Sequence, residues 1–137
     1  MLNLEMAKKM IVAAETKAQE IDVPMVTAVV DGGGNILAME RMDGALLVSL
    51  DIAKNKAYTA VALQMSTDKL APQCQPEKPL FGIDKTDGGR IIIFGGGFPI
   101  KIDNQLVGGI GCSGGTVEED MACAEAGLEA LKEAERR

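Results

Sequence analysis

GIGCSGGTVEED, residues 109 to 120, decides the fold. An apolar strand from Gln105 to Gly111 runs into a small, glycine-rich turn (Cys112, Ser113, Gly114, Gly115). Thr116 then opens a helix, with Glu119 three residues on as the partner of a capping box. Backbone N–H groups at a helix start have no intrahelical acceptor, and with the positive end of the helix dipole they predict a site for a carboxylate or phosphate. Gly109, Gly111 and Gly114 also spell G-x-G-x-x-G between strand and helix, the dinucleotide fingerprint. A Rossmann unit needs a second parallel strand after the helix and an acidic residue about 20 residues on. The residues after Gly115 supply only the helix, so the glycines point to a small anionic ligand or to close packing.

Working outward, the final helix is predicted from Val117 to about Glu135, with Met121, Ala124, Leu128 and Leu131 as its apolar face and Gly127 small enough to lie close on a sheet. Upstream, RIIIF (Arg90 to Phe94) reads as a buried strand, Gly95 to Gly97 as a turn, Phe98 to Ile102 as a strand, and Asp103-Asn104 as a tight turn into Gln105. Three strands with such short links predict an antiparallel meander, because parallel neighbours need crossovers of about a dozen residues.

Toward the N-terminus, Asn3 can cap a helix with apolar positions Leu4, Ala7, Met10, Ile11, Ala14, Ala18 and Ile21, ending near Asp22 before Pro24. PMVTAVVD (24–31) and Ile36 to Arg41 predict a hairpin around Gly32, Gly33, Gly34 and Asn35. Ser49 or Asp51 starts a second long helix carrying Leu50, Ala53, Ala57, Ala60, Val61 and Leu63, and Thr67 caps a short turn. Pro72 to Asp87 reads as a long loop able to cover a pocket or reach a neighbouring subunit. The expectation is one α+β domain over 1–137, with about five antiparallel strands packed with helices in the order α-β-β-α-β-β-β-α.

Composition narrows the function classes. A net charge of −6 and a pI near 4.7 disfavour nucleic acid and anionic membrane as partners. The N-terminal residues begin an amphipathic helix with no apolar h-region, and no run approaches the roughly 20 apolar residues of a membrane span, so a cytoplasmic protein is expected. Three cysteines, Cys74, Cys112 and Cys123, match no disulfide framework or zinc spacing, and no metal site is expected. The chain has no histidine, which removes the Ser-His and Cys-His dyads. In RMDGA (41–45), Arg41 and Asp43 leave a strand end just before a helix, the place where open sheets put functional polar groups, or else they form a surface ion pair.

Four stretches, VVDGGGNILAMERMDGA (29–45), DIAKNKAYTAVAL (51–63), GGGFPI (95–100) and LVGGIGCSGGTVEEDMACAEAGLEAL (106–131), resemble the GlcG/HbpS family of haem-degrading domains, and most of all its PduO C-terminal and OrfY-like branch. The resemblance implies an antiparallel sheet with flanking helices, homo-oligomers, and a pocket near the sheet ends. It also implies binding or breakdown of haem, or a role near corrinoid and diol-dehydratase metabolism. By position, Arg41, Met42 and Asp43 match the family's RMDG motif, Lys56 its helix motif, and Ser113, Gly114 and Gly115 its SGG turn. Relatives can ligate haem iron through histidine. Here that task would fall to Cys112, a Met, Tyr58, Ser113 or Thr116, or a partner subunit.

Three functions are open to these residues. The first is an accessory protein binding a small anionic ligand, either haem or another tetrapyrrole or a small organic acid. Arg41 would clamp a carboxylate, Asp43 would hold Arg41, and the N–H groups from Ser113 to Thr116 would complete the site. The second is an enzyme using Asp43 and Lys56 for proton transfer, or Cys112 as a nucleophile activated by the helix N-terminus. The third is a ligand-free oligomer docking on a pathway enzyme.

Overall fold

The structure is a computed structural model describing residues 1–136. It contains α1 (Leu4–Glu20), β1 (Val26–Asp31), β2 (Ile36–Arg41), α2 (Val48–Leu63), α3 (Thr67–Leu70), β3 (Gly97–Ile102), β4 (Gln105–Ser113) and α4 (Val117–Glu135). The strands form one antiparallel sheet in the order β2-β1-β4-β3. Two local hairpins, β1–β2 and β3–β4, are joined by the central pairing of β1 with β4, where Val26 faces Ser113 and Asp31 faces Gly108.

β1 shows why the sheet is covered on both sides. Val29 packs with Met10, Ile11, Ala14, Ala124 and Leu131 of α1 and α4, whereas Val26, Ala28 and Val30 pack with Ala53, Ala57 and Val61 of α2. Side chains alternate across a strand, so a strand buried at every residue from Val26 to Val30 is covered on both faces. The result is three layers, with α1 and α4 on one face and α2 on the other.

α2 lies unusually close to the sheet because both sides of that contact are small. A Cβ on Gly109 would strike the Ala57 carbonyl, and one on Gly111 would strike the Ala53 carbonyl and stand 2.7 Å from Ala57 N. Close packing is therefore what these two glycines of the fingerprint-like spacing provide.

Local signals also account for the caps and turns. Thr116 and Glu119 form the reciprocal capping box, and Asn3 Oδ1 accepts from Met6 N at 2.9 Å. Asp103 and Asn104 both adopt left-handed backbone, with φ of 51° and 63°, as a two-residue hairpin link requires.

The expected fifth strand is absent: the described residues form four. Ile91 to Ile93 belong to no strand, Phe94 to Gly96 form a bend, and β3 begins at Gly97. Thr59 Oγ1 accepts from Ile92 N at 2.9 Å and donates to Arg90 O at 3.1 Å, binding this segment to α2 and not to a neighbouring strand. The meander accordingly shrinks to one hairpin. The 72–87 loop carries short 3₁₀ turns, including Ile83–Lys85. Among the described residues no helix is long and apolar enough to cross a membrane.

Candidate functional site

The sheet register brings the two sequence motifs to one end of the fold. Val26 of β1 pairs with Arg41 on one side and with Ser113 on the other, so the RMDG and SGG segments flank the start of β1. Gly114 packs so tightly on Pro24 that a Cβ there would strike the Pro24 carbonyl, while Met42 N donates to Met25 O at 3.0 Å. Ser113 Oγ donates to Ser49 Oγ at 3.2 Å, tying the SGG turn to the start of α2.

Beneath this turn lies Lys56, whose side chain is 0% exposed. Its Nζ donates to Asp120 Oδ2 at 2.8 Å and to Cys112 O at 2.9 Å, and it stands 5.1 Å from the centroid of the Phe94 ring. Burial pushes the Lys56 ammonium below its ordinary pKa and the Asp120 carboxyl above its own, and their mutual contact opposes both shifts. Lys56 thus faces inward, holding the end of β4 and the first turn of α4 together.

Asp120 also fills the predicted anion site. Its Oδ1 accepts from Gly115 N at 2.8 Å, and Glu119 Oε1 accepts from Thr116 N at 2.9 Å. The backbone donors of Gly115 and Thr116 are therefore taken by the chain's own carboxylates, and the helix dipole is compensated from within. Sequence reasoning gives Asp120 no part in the site, and so misses the residue that closes it.

Arg41 and Asp43 are both exposed, and among the described residues neither has a salt-bridge partner within 4.0 Å. The expectation that Asp43 holds Arg41 is corrected: the two do not pair. With Glu15, Gln19 and Met42 they line an open depression of about 390 Å³ between α1 and the end of β2. Met42 Sδ is turned inward and accepts from Met25 N at 3.4 Å.

Glu15, on the rim of this depression, has its pKa raised to about 7, first by burial and then by hydrogen bonding and charge repulsion with Glu40. Folded Glu15 therefore keeps a proton that the unfolded chain releases above pH 4.5. Stability contributed by this group is present below about pH 4.5 and is lost as pH rises toward 7. The melting temperature of Glu15→Gln should accordingly fall less than that of the parent between about pH 5 and 7.5. Parallel melting curves across that interval would refute the shared proton.

The thiols are poor nucleophile candidates by position. Cys112 is fully buried with Sγ 3.3 Å from Thr27 Oγ1, and burial pushes it up to about 12, while Cys123 is pushed up to about 11. Tyr58 bonds Asp87 through its hydroxyl, and the Arg90 guanidinium lies 4.0 Å over its ring. Among the described residues no group of three or more His, Cys, Asp or Glu side chains is placed to hold a metal ion.

Residues 2–129 match the family described as haem degrading protein HbpS-like. A 15.0 kDa protein encoded in the dhaT-dhaS intergenic region of Citrobacter freundii is 48% identical over 132 residues, covering 96% of this chain and 93% of that one. The crystal structure of Klebsiella pneumoniae ORFY superposes with a TM-score of 0.94 at 44% identity, covering 96% of this chain and 90% of that one. The PduOC:haem complex superposes with a TM-score of 0.91 at 39% identity, covering 94% of each chain.

Proposed function

This chain belongs to the HbpS-like family of haem-degrading proteins, and from that kinship we propose that it is an accessory protein that binds haem or a related carboxylate-bearing ligand, working beside corrinoid and diol-dehydratase metabolism. The observation that carries the reading is Arg41, an exposed guanidinium without an internal ion-pair partner among the described residues, on a depression open to solvent. A planar, always-charged fork of donors suits a carboxylate in a bidentate arrangement. The likeness to a chain solved with haem supplies the ligand class.

The protomer suits the propionate end of haem better than its iron. It has no histidine, its three thiols are buried, Met42 Sδ is already engaged by Met25 N–H, and the Tyr58 hydroxyl is engaged by Asp87. Bound haem would supply the redox chemistry of its iron. What this chain contributes is a cation for the propionates at Arg41 and, across the start of β1, an SGG turn braced by Lys56 and Asp120. Ser113, Gly114, Gly115 and Thr116 belong to the proposal as the turn on the other side of the start of β1 from Arg41, and Lys56 as the group that positions that turn.

Titration with haemin and, separately, with iron-free protoporphyrin IX tests this. Both should bind saturably with dissociation constants within about fivefold of each other, and Arg41→Ala should weaken both by about tenfold, as expected for loss of a charge-assisted pair of about 1.5 kcal/mol. Non-saturating absorbance with haemin would remove haem from the reading. Tight haemin binding with no protoporphyrin binding would instead locate the affinity in an iron ligand.

A further inference from the structure

We propose that the hollow where α2 turns into α3 against β3 is a second ligand site, for a small zwitterion with an ammonium at one end and a carboxylate at the other. It shares no lining residue with the Arg41 depression. The hollow encloses about 320 Å³, with Met65, Phe98 and Pro99 supplying apolar wall and Asp68, Lys69 and Lys101 supplying charge.

Asp68 is the feature that asks for a cation. Its Oδ1 is buried and has no hydrogen-bond partner, and among the described residues the carboxylate has no ion-pair partner within 4.0 Å. The bend at Gly95 lies hard against it, since a Cβ added at Gly95 would stand 3.1 Å from Asp68 Cβ. The residue as a whole stays partly exposed and lines the hollow. A carboxylate with one oxygen stripped of water and nothing gained in exchange is costly, and a cation reaching it from the hollow offsets that cost.

Lys69 and Lys101 ask for an anion. Both are exposed, and among the described residues neither pairs with a carboxylate within 4.0 Å, Asp68 included. In a chain of net charge −6, two free ammoniums in one hollow make a local field of the opposite sign. The register of β3 on β4 shifts between Ile100 and Lys101, an irregularity of the kind that re-aims a side chain.

The corner that carries these groups is fixed in advance. Gln64 ends α2 in left-handed backbone, with φ of 55°, and the buried Thr67 Oγ1 accepts from Gly97 N at 3.0 Å, pinning the start of α3 to the start of β3. Opposite charges held apart on such a frame, with apolar wall in the same hollow, select a ligand whose own charges are held apart by a short aliphatic stem. A simple amine or a simple acid satisfies one end only.

The test is a ligand-observed NMR titration of the full chain with glycine, β-alanine, 4-aminobutyrate and 5-aminopentanoate, which move the ammonium away from the carboxylate one methylene at a time. The expected result is saturable binding of one member with a dissociation constant of about 1 mM or tighter. The amine and the acid of the same length, each carrying one of its charges, should bind about tenfold or more weakly. Asp68→Asn, which keeps the shape of the side chain, and Lys101→Gln, at an exposed position, should each weaken that member about tenfold. Lys8→Gln, which removes an equal charge from the exposed side of α1, should leave it unchanged. No member reaching saturation by about 20 mM, or a member held equally well by either Asp68→Asn or Lys101→Gln, would overturn the site. An amine or acid bound as tightly as the zwitterion would overturn the ligand class.

Discussion

Replacing Lys56 by methionine lowers the melting temperature by about 10 °C or more, a cost of about 3–5 kcal/mol for breaking a buried pair and leaving one charge uncompensated. Methionine keeps most of the aliphatic volume, so the loss is electrostatic: Asp120, whose side chain is 5% exposed, keeps its Gly115 N–H donor but loses the ammonium. The double variant Lys56→Met/Asp120→Asn should recover much of the loss, since an asparagine carbonyl can still accept from Gly115 N without a charge to compensate. Chemical denaturation of the four proteins in a double-mutant cycle gives the coupling directly. A Lys56→Met protein within about 1 kcal/mol of the parent, the range of an exposed pair, would show that the pair does not hold the SGG turn.

The second large effect is expected at Gly111. An added methyl there meets the backbone of α2 at Ala53 and Ala57, not the movable end of a side chain, and α2 is held in turn by the sheet across Ala53, Ala57 and Val61. Gly111→Ala should therefore destabilise by about 3 kcal/mol, the upper part of the range for overpacking. Gly32→Ala provides the contrast, because its added Cβ comes no nearer than 3.6 Å to another group and its backbone is not left-handed. Equal melting temperatures for the two variants would mean that α2 can move away from the sheet, and that the small-residue contact is not what sets their spacing.

These two sites show what could be read from sequence. The Asn3 cap, the Thr116–Glu119 capping box and the Asp103-Asn104 turn were legible because their hydrogen bonds close within a few residues. The α+β class and the helix spans were legible from periodicity. RIIIF reads as a strand because β-branched residues specify an extended backbone, whereas a strand also needs a neighbour, and the neighbour is settled elsewhere in the chain. The donors of the SGG turn do lack partners in the helix ladder, as the sequence implies, but Asp120, in the first turn of α4, folds back onto them. A signal for Lys56 was present all along. It falls on the stripe of Ala53, Ala57 and Ala60, the face that packs on the sheet, so a charged residue there had to be buried with a partner.

The central pairing of β1 with β4 also sets a timetable. Val26 and Ser113 are neighbours in the sheet but 87 residues apart along the chain, so β1 cannot gain its second neighbour until synthesis has passed β4. At ordinary rates of synthesis that interval is on the order of ten seconds. Throughout it, α1 and the first hairpin are present with an apolar strand open on one edge. The β1–β4 pairing closes a long loop and the packing of α4 on α1 closes a longer one, so this small domain should fold slowly for its size. Newborn chains would then be most exposed to mispairing just before β4 arrives.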